Sequence, residues 1–174
     1  MKNFGLIWMK QTDIKSFMQS SIITDKLKSL GVAFGAAPQP GGSYVAVNIR
    51  GNVAYVAIQL PIKDDQFYFL GRLGKEVTTA QGYEAAKMAA TNVLLQIDKF
   101  VGDERIVGLN HVDIYYQVHD TWDEGPQVAN GASDLFLEVL GDRGVHTRAI
   151  LGVDKLPRNH SVALVSSFTI KPLL

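Results

Sequence analysis

The sequence predicts an α+β two-layer sandwich, a mixed β-sheet with two main helices on one face, in the order βββαβαββ. Three observations carry this reading. Segments 78–101 and 127–140 place apolar residues at helical spacing. The stretches between and around them are strand-length and rich in Val, Ile, Tyr and Thr. In one of these, Asn110 to His119, Val112, Ile114, Tyr116 and Val118 alternate with His111, Asp113, Tyr115, Gln117 and His119. Such a strand has one core face and one semi-polar face, so the sheet side away from the helices meets water or another subunit.

Residues 1–22 stand ahead of a single domain over 23–174. Met9 offers a second start, and Trp8, Ile14, Phe17 and Met18 offer anchors onto the domain or a neighbouring subunit. Thr24 to Leu30 reads as a short helix with Asp25 and Lys26 outward, Leu27 and Leu30 inward, and Gly31 as its stop. Pro38, Pro40, Gly41 and Gly42 make a loop. Tyr44–Arg50 and Val53–Leu60 form a hairpin about Gly51-Asn52, where positive φ costs little. Phe67–Leu70 is a third short strand.

Thr78 or Thr79 starts the longest helix. Ala86, Ala89, Ala90, Val93, Leu94, Ile97 and Phe100 form its inner stripe, and the alanines let it sit close to a sheet. The second helix, Gln127 to Leu140, turns Val128, Ala132, Leu135, Phe136 and Val139 inward and ends at Gly141. Two closing strands follow, one over residues 146–153 and one over Ser161–Ile170, read as a hairpin about Leu156-Pro157.

At 174 residues, with 47% apolar and 20% charged residues, the chain can bury a core without staples. Lys and Arg (17) balance Asp and Glu (17), which argues against nucleic acid or an anionic membrane as a partner held by bulk charge. There is no cysteine, which rules out disulfides, thiol nucleophiles and Cys-held zinc. No apolar run approaches the ~20 residues of a membrane span, and cytoplasm is the expected location. Walker, dinucleotide-type and His-x-x-x-His patterns are absent, so no metal or cofactor is expected.

The chemistry-bearing segment is the strand with Arg148. Alternation puts Ala149, Leu151 and Val153 on one face and Arg148, Ile150 and Gly152 on the other. A half-buried guanidinium needs an anionic partner. Residues 161–170 contain no Asp or Glu. The partner is therefore a carboxylate from elsewhere in the chain (Glu124, Asp123 and Asp113 are candidates), a neighbouring subunit, or a ligand. His146 and His160 flank the same hairpin; a histidine there is expected at the surface, and either could handle protons for Arg148.

Arg148, Val153, Leu156-Pro157 and the closing strand, in this spacing, resemble the C-terminal signature of the Rid (YjgF-like) superfamily. These are the reactive-intermediate deaminases, older members of which carry the label endoribonuclease L-PSP. Tyr44-Val45-Ala46-Val47, the segment Val53 to Pro61 and Asn130-Gly131-Ala132-Ser133-Asp134-Leu135-Phe136 resemble the family's first strand, second strand and second helix. The resemblance runs over residues 24–170. It implies a chorismate-mutase-like fold, assembled as a homotrimer with clefts between subunits.

In those clefts the resemblance makes Arg148 the clamp for the carboxylate of a small 2-imino acid, which is hydrolysed to a 2-keto acid and ammonia. Tyr44, Asn130, Ile58 and Gln59 would line the site with it. Two positions depart from the family pattern. Deaminase members hold a glutamate where Ala163 stands and a glycine where Ile58 stands. The alternative is a non-catalytic protein that binds small carboxylates; an endoribonuclease finds no basic patch interleaved with aromatics.

Overall fold

The computed structural model describes residues 21–172. The anchoring expected of Trp8, Ile14, Phe17 and Met18 lies outside them. The elements run α1 (Ile22–Ser29), β1 (Val47–Arg50), β2 (Val53–Gln59), β3 (Ile62–Lys63), β4 (Gln66–Phe67), α2 (Thr79–Phe100), β5 (Ile106–Gln117), α3 (Gly125–Leu140), β6 (Thr147–Val153) and β7 (Val162–Ile170). Five strands make one sheet in the order β1-β2-β7-β5-β6, with β3 and β4 as a separate ribbon. Only the β5–β6 pairing is parallel. This is the α+β architecture the pattern predicts, with the helices on one sheet face.

Each helix begins where its cap chemistry permits. Ser21 caps α1 in a reciprocal capping box with Thr24, so the helix starts two residues before the predicted Thr24. Thr78 and Gln81 make the same box for α2. Ala85, Ala86, Ala89 and Ala90 are fully buried, which brings the α2 backbone close to the sheet. The α2–α3 crossing is closer still: a Cβ added to Gly131 would stand 2.0 Å from the Tyr83 carbonyl oxygen. Only glycine permits that approach.

Four details differ from the sequence reading. The first strand begins at Val47, because a bend at Gly41–Tyr44 takes Tyr44 off the sheet and leaves it half-exposed. The third strand is not in the sheet. Gln66–Phe67 pairs only with Ile62–Lys63 across Asp64 and Asp65, both at positive φ, and Phe69 at φ 53° ends the run. The helix α3 starts at Gly125, so Asn130 lies inside it and does not open it.

The closing strands are also not neighbours, because β5 lies between them. Residues 154–161 are too long for a tight hairpin and carry the chain across β5. Gln117, buried at the end of β5, holds this crossing: its Oε1 accepts from the Leu156 amide (2.8 Å) and its Nε2 donates to Asn159 Oδ1 (2.6 Å).

The register fixes the two faces. Val112, Ile114 and Tyr116 pair with Arg148, Ile150 and Gly152 in β6, so Arg148 points to the helix side. Tyr115 pairs with Leu151 and with Ala163 on the opposite side, which is exposed at Leu151 and closed over Ala163. Tyr55 (51% exposed) and Leu151 (43%) lie on that side.

Candidate functional site

Arg148 sits near the start of β6, at the sheet edge beneath α3. Asn130 and Ser133 are three apart on α3, hence on one helix face. They meet the arginine together: its Nη1 donates to Asn130 Oδ1 and to Ser133 Oγ, both at 2.9 Å. These bonds fix the plane of the guanidinium. Among the described residues no carboxylate comes within 4 Å of it. The candidates are engaged elsewhere or are not in contact. Glu124 accepts from the Thr79 hydroxyl. Asp113 pairs with His111 on the other sheet face (3.1 Å). Asp123 makes no ion pair among the described residues. Arg148 is thus a half-buried cation held by two neutral groups, with the rest of its donor fork available to an anion.

His146 extends this network. Its Nδ1 lies 2.7 Å from the Gly144 carbonyl, which can only accept, so Nδ1 carries the proton. In the neutral ring Nε2 is then bare, and Ser133, 3.1 Å away, donates its hydroxyl proton to it. The ring is held by an edge contact with Phe136 (5.7 Å between centroids). The chain Gly144–His146–Ser133–Arg148 is continuous. Ser133 was not singled out in the sequence, although its spacing from Asn130 was there to be read.

Tyr44, Ile58 and Gln59 come together elsewhere, in a cavity of about 240 Å³ with Gln96 and Arg158 on its wall. Buried polar side chains of α2 shape it. Gln96 Nε2 donates to the Pro38 carbonyl (2.6 Å), and Asn92 Nδ2 donates to the carbonyls of Leu60 (2.9 Å) and Ile62 (2.8 Å). Gln59 is turned back on its own strand, donating to Ala57 O (3.0 Å). Ile58 fills wall space that a glycine would leave open. Two strands, β7 and β5, separate β2 from β6 in the sheet. Within one chain the five predicted residues therefore form two groups, Arg148 with Asn130 and Tyr44 with Ile58 and Gln59.

Neither Ala163 nor His160 supplies a proton-handling group to Arg148. Ala163 is fully buried, pairs with Tyr115, and faces away from the helix side that holds the arginine. His160, expected at the surface, is fully buried as well. It packs on Phe67 at 5.2 Å, and burial pushes its pKa down, so it is held neutral. Its strand end is covered by the β4 segment, which the local sequence does not reveal. Beside Arg148, Tyr116 donates its hydroxyl to Gly125 O (2.9 Å), and burial raises its pKa.

Known proteins share this fold. Residues 25–170 match the family model described as "YjgF/chorismate_mutase-like, putative endoribonuclease". Protein TCP17 of Trypanosoma cruzi is 33% identical over 144 residues, covering 82% of this chain and 90% of that protein. The crystal structure of Atu1372 from Agrobacterium tumefaciens, whose function is unknown, superposes with a TM-score of 0.80 at 33% identity, covering 86% of this chain and 93% of that one. A structure from Shewanella oneidensis MR-1, described as an endoribonuclease by inference, gives a TM-score of 0.81 at 26% identity, covering 86% and 99%.

Proposed function

The chain belongs to the YjgF/chorismate-mutase-like family, and on that premise we propose that it binds small 2-imino or 2-keto acids by their carboxylate and hydrolyses the imines to 2-keto acids and ammonia. The observation that carries this is Arg148, half-buried, oriented by Asn130 and Ser133, and without a carboxylate partner among the described residues. A bidentate carboxylate is the natural ligand of such a fork. The protein works as a homotrimer of cytoplasmic location, and the cleft forms where Arg148 and Asn130 of one copy face the Tyr44, Ile58 and Gln59 wall of the next. The uncovered sheet face with Tyr55 and Leu151 supports self-association. No helix among the described residues is long and apolar enough to cross a membrane.

A second reading has one observation in its favour. Ala163 removes the carboxylate that deaminase relatives place on the last strand, which suits a protein that binds small acids without turning them over. Ammonia release from freshly generated 2-aminoacrylate and longer imino acids, with wild type beside Arg148→Ala, separates the two. The deaminase reading expects acceleration that the variant loses. A folded wild type that binds pyruvate and accelerates nothing is the binder. Equal pyruvate affinity in wild type and Arg148→Ala refutes both.

A further inference from the structure

We infer that Ser133 and His146 form the proton relay of the Arg148 site, to which position 163 supplies no proton-handling group. This rests on the reading of Arg148 as the carboxylate clamp.

The hydrogen-bond inventory of Ser133 leads there. Its oxygen accepts from Arg148 Nη1 and its proton goes to His146 Nε2, leaving one lone pair open. That lone pair can accept from a water beside a ligand held on Arg148. The guanidinium contact favours a hydroxyl oxygen that gives up its proton, by placing positive charge against it. The Gly144 carbonyl holds His146 in the tautomer whose Nε2 accepts, and stabilises the ring when both nitrogens are protonated. No residue of the relay is idle, and no other titratable side chain shares a hydrogen-bond partner with Arg148 among the described residues.

The steps balance. Water oxygen bonds to the iminium carbon, and the C=N π pair moves to nitrogen. The water passes one proton to Ser133 Oγ as Ser133 passes its own to His146 Nε2. The carbinolamine and an imidazolium result. The imidazolium then returns the proton through Ser133 to the amine nitrogen. The C–N bond breaks with its pair going to nitrogen, and the hydroxyl proton follows it. The products are the 2-keto acid and ammonium, with Ser133 and His146 restored.

The test measures kcat for imine hydrolysis and pyruvate affinity in wild type, His146→Gln and Ser133→Ala, across pH. We expect kcat to fall by about 10²-fold or more in each variant; pyruvate affinity stays within about 2-fold in His146→Gln, which does not touch Arg148, and falls by up to about 10-fold in Ser133→Ala, which also removes one of the two bonds that orient the guanidinium. The shape of the wild-type kcat–pH profile changes in His146→Gln. The groups facing that ring are Ser133 and Phe136 of α3 and the Gly144 carbonyl, with Arg148 the charged group beyond Ser133. Retained pyruvate binding certifies the fold of each variant. An active wild type whose variants keep full kcat and the same profile overturns the relay alone. A wild type without turnover overturns the relay together with the deaminase reading, whereas loss of pyruvate binding in His146→Gln reassigns His146 to shaping the clamp and overturns the relay.

Discussion

Arg148→Lys separates the charge of the clamp from its shape. Lysine keeps a cation on β6, and its ammonium can still donate to Asn130 and Ser133, which Arg148 satisfies with a single nitrogen, Nη1. What lysine cannot replace is the outward edge of the guanidinium, the Nη2 and Nε donors that leave a planar fork for a second set of oxygens. The substitution therefore removes one charge-assisted hydrogen bond to a bound carboxylate, worth about 1.5–3 kcal/mol. Pyruvate affinity should fall roughly 10- to 100-fold. Stability should change by less than about 1 kcal/mol, since both internal bonds survive. Titration calorimetry with pyruvate and a urea melt read the two quantities. Wild-type affinity in the lysine variant would refute the fork geometry, because charge alone would then suffice.

Three other substitutions test the fold around the site. Gly131→Ala forces a methyl to 2.0 Å from the Tyr83 carbonyl, and the overpacking cost of about 1–3 kcal/mol exceeds the gain of about 1 kcal/mol in helix propensity; a raised urea midpoint would contradict it. Ala163→Glu, which places a carboxylate in a fully buried position on the face away from Arg148, should destabilise by several kcal/mol and leave imine hydrolysis no faster; a faster folded variant would mean that position 163 reaches substrate. Asp98 has its pKa raised above 3.8 mainly by burial, against the Ser21 hydrogen bond that lowers it and with Asp103 and Glu104 adding to the rise. Its folded form therefore holds a proton that the unfolded chain releases first, so stability falls as pH rises from 3.8 through the raised folded value. In Asp98→Asn that decline is missing, and superimposable stability–pH curves for the two proteins would remove the assignment.

The sequence shows the elements whose signals are local. The alanine stripe and Thr78 cap delimit α2, and alternation in 110–119 identifies β5 and its core face. The faces of β6 are also legible, because period two assigns Arg148, Ile150 and Gly152 to one side. Alternation does not name the neighbouring strand. The β6–β7 hairpin was wrong for that reason, since β6 pairs with β5 only after α3 returns the chain. The β3–β4 ribbon escapes because Asp64-Asp65 turns it without a glycine. Arg148 and Asn130 are brought into contact by the packing of α3 over β6. Ser133 and His146 join them through a helix-to-strand contact that composition and spacing leave unspecified, and the burial of His160 depends on a segment distant in the chain.

Strand β5, helix α3 and strand β6 form one consecutive unit, and the arginine network lies entirely within it. Asn130 and Arg148 are 18 residues apart, and Ser133 and His146 are 13 apart. Closing loops of that size is entropically cheap and fast. The β2–β7 ladder instead joins Val53 to Thr169, near opposite ends of the described chain. The clamp network can therefore form from contacts local in sequence, ahead of the long-range closure of the sheet.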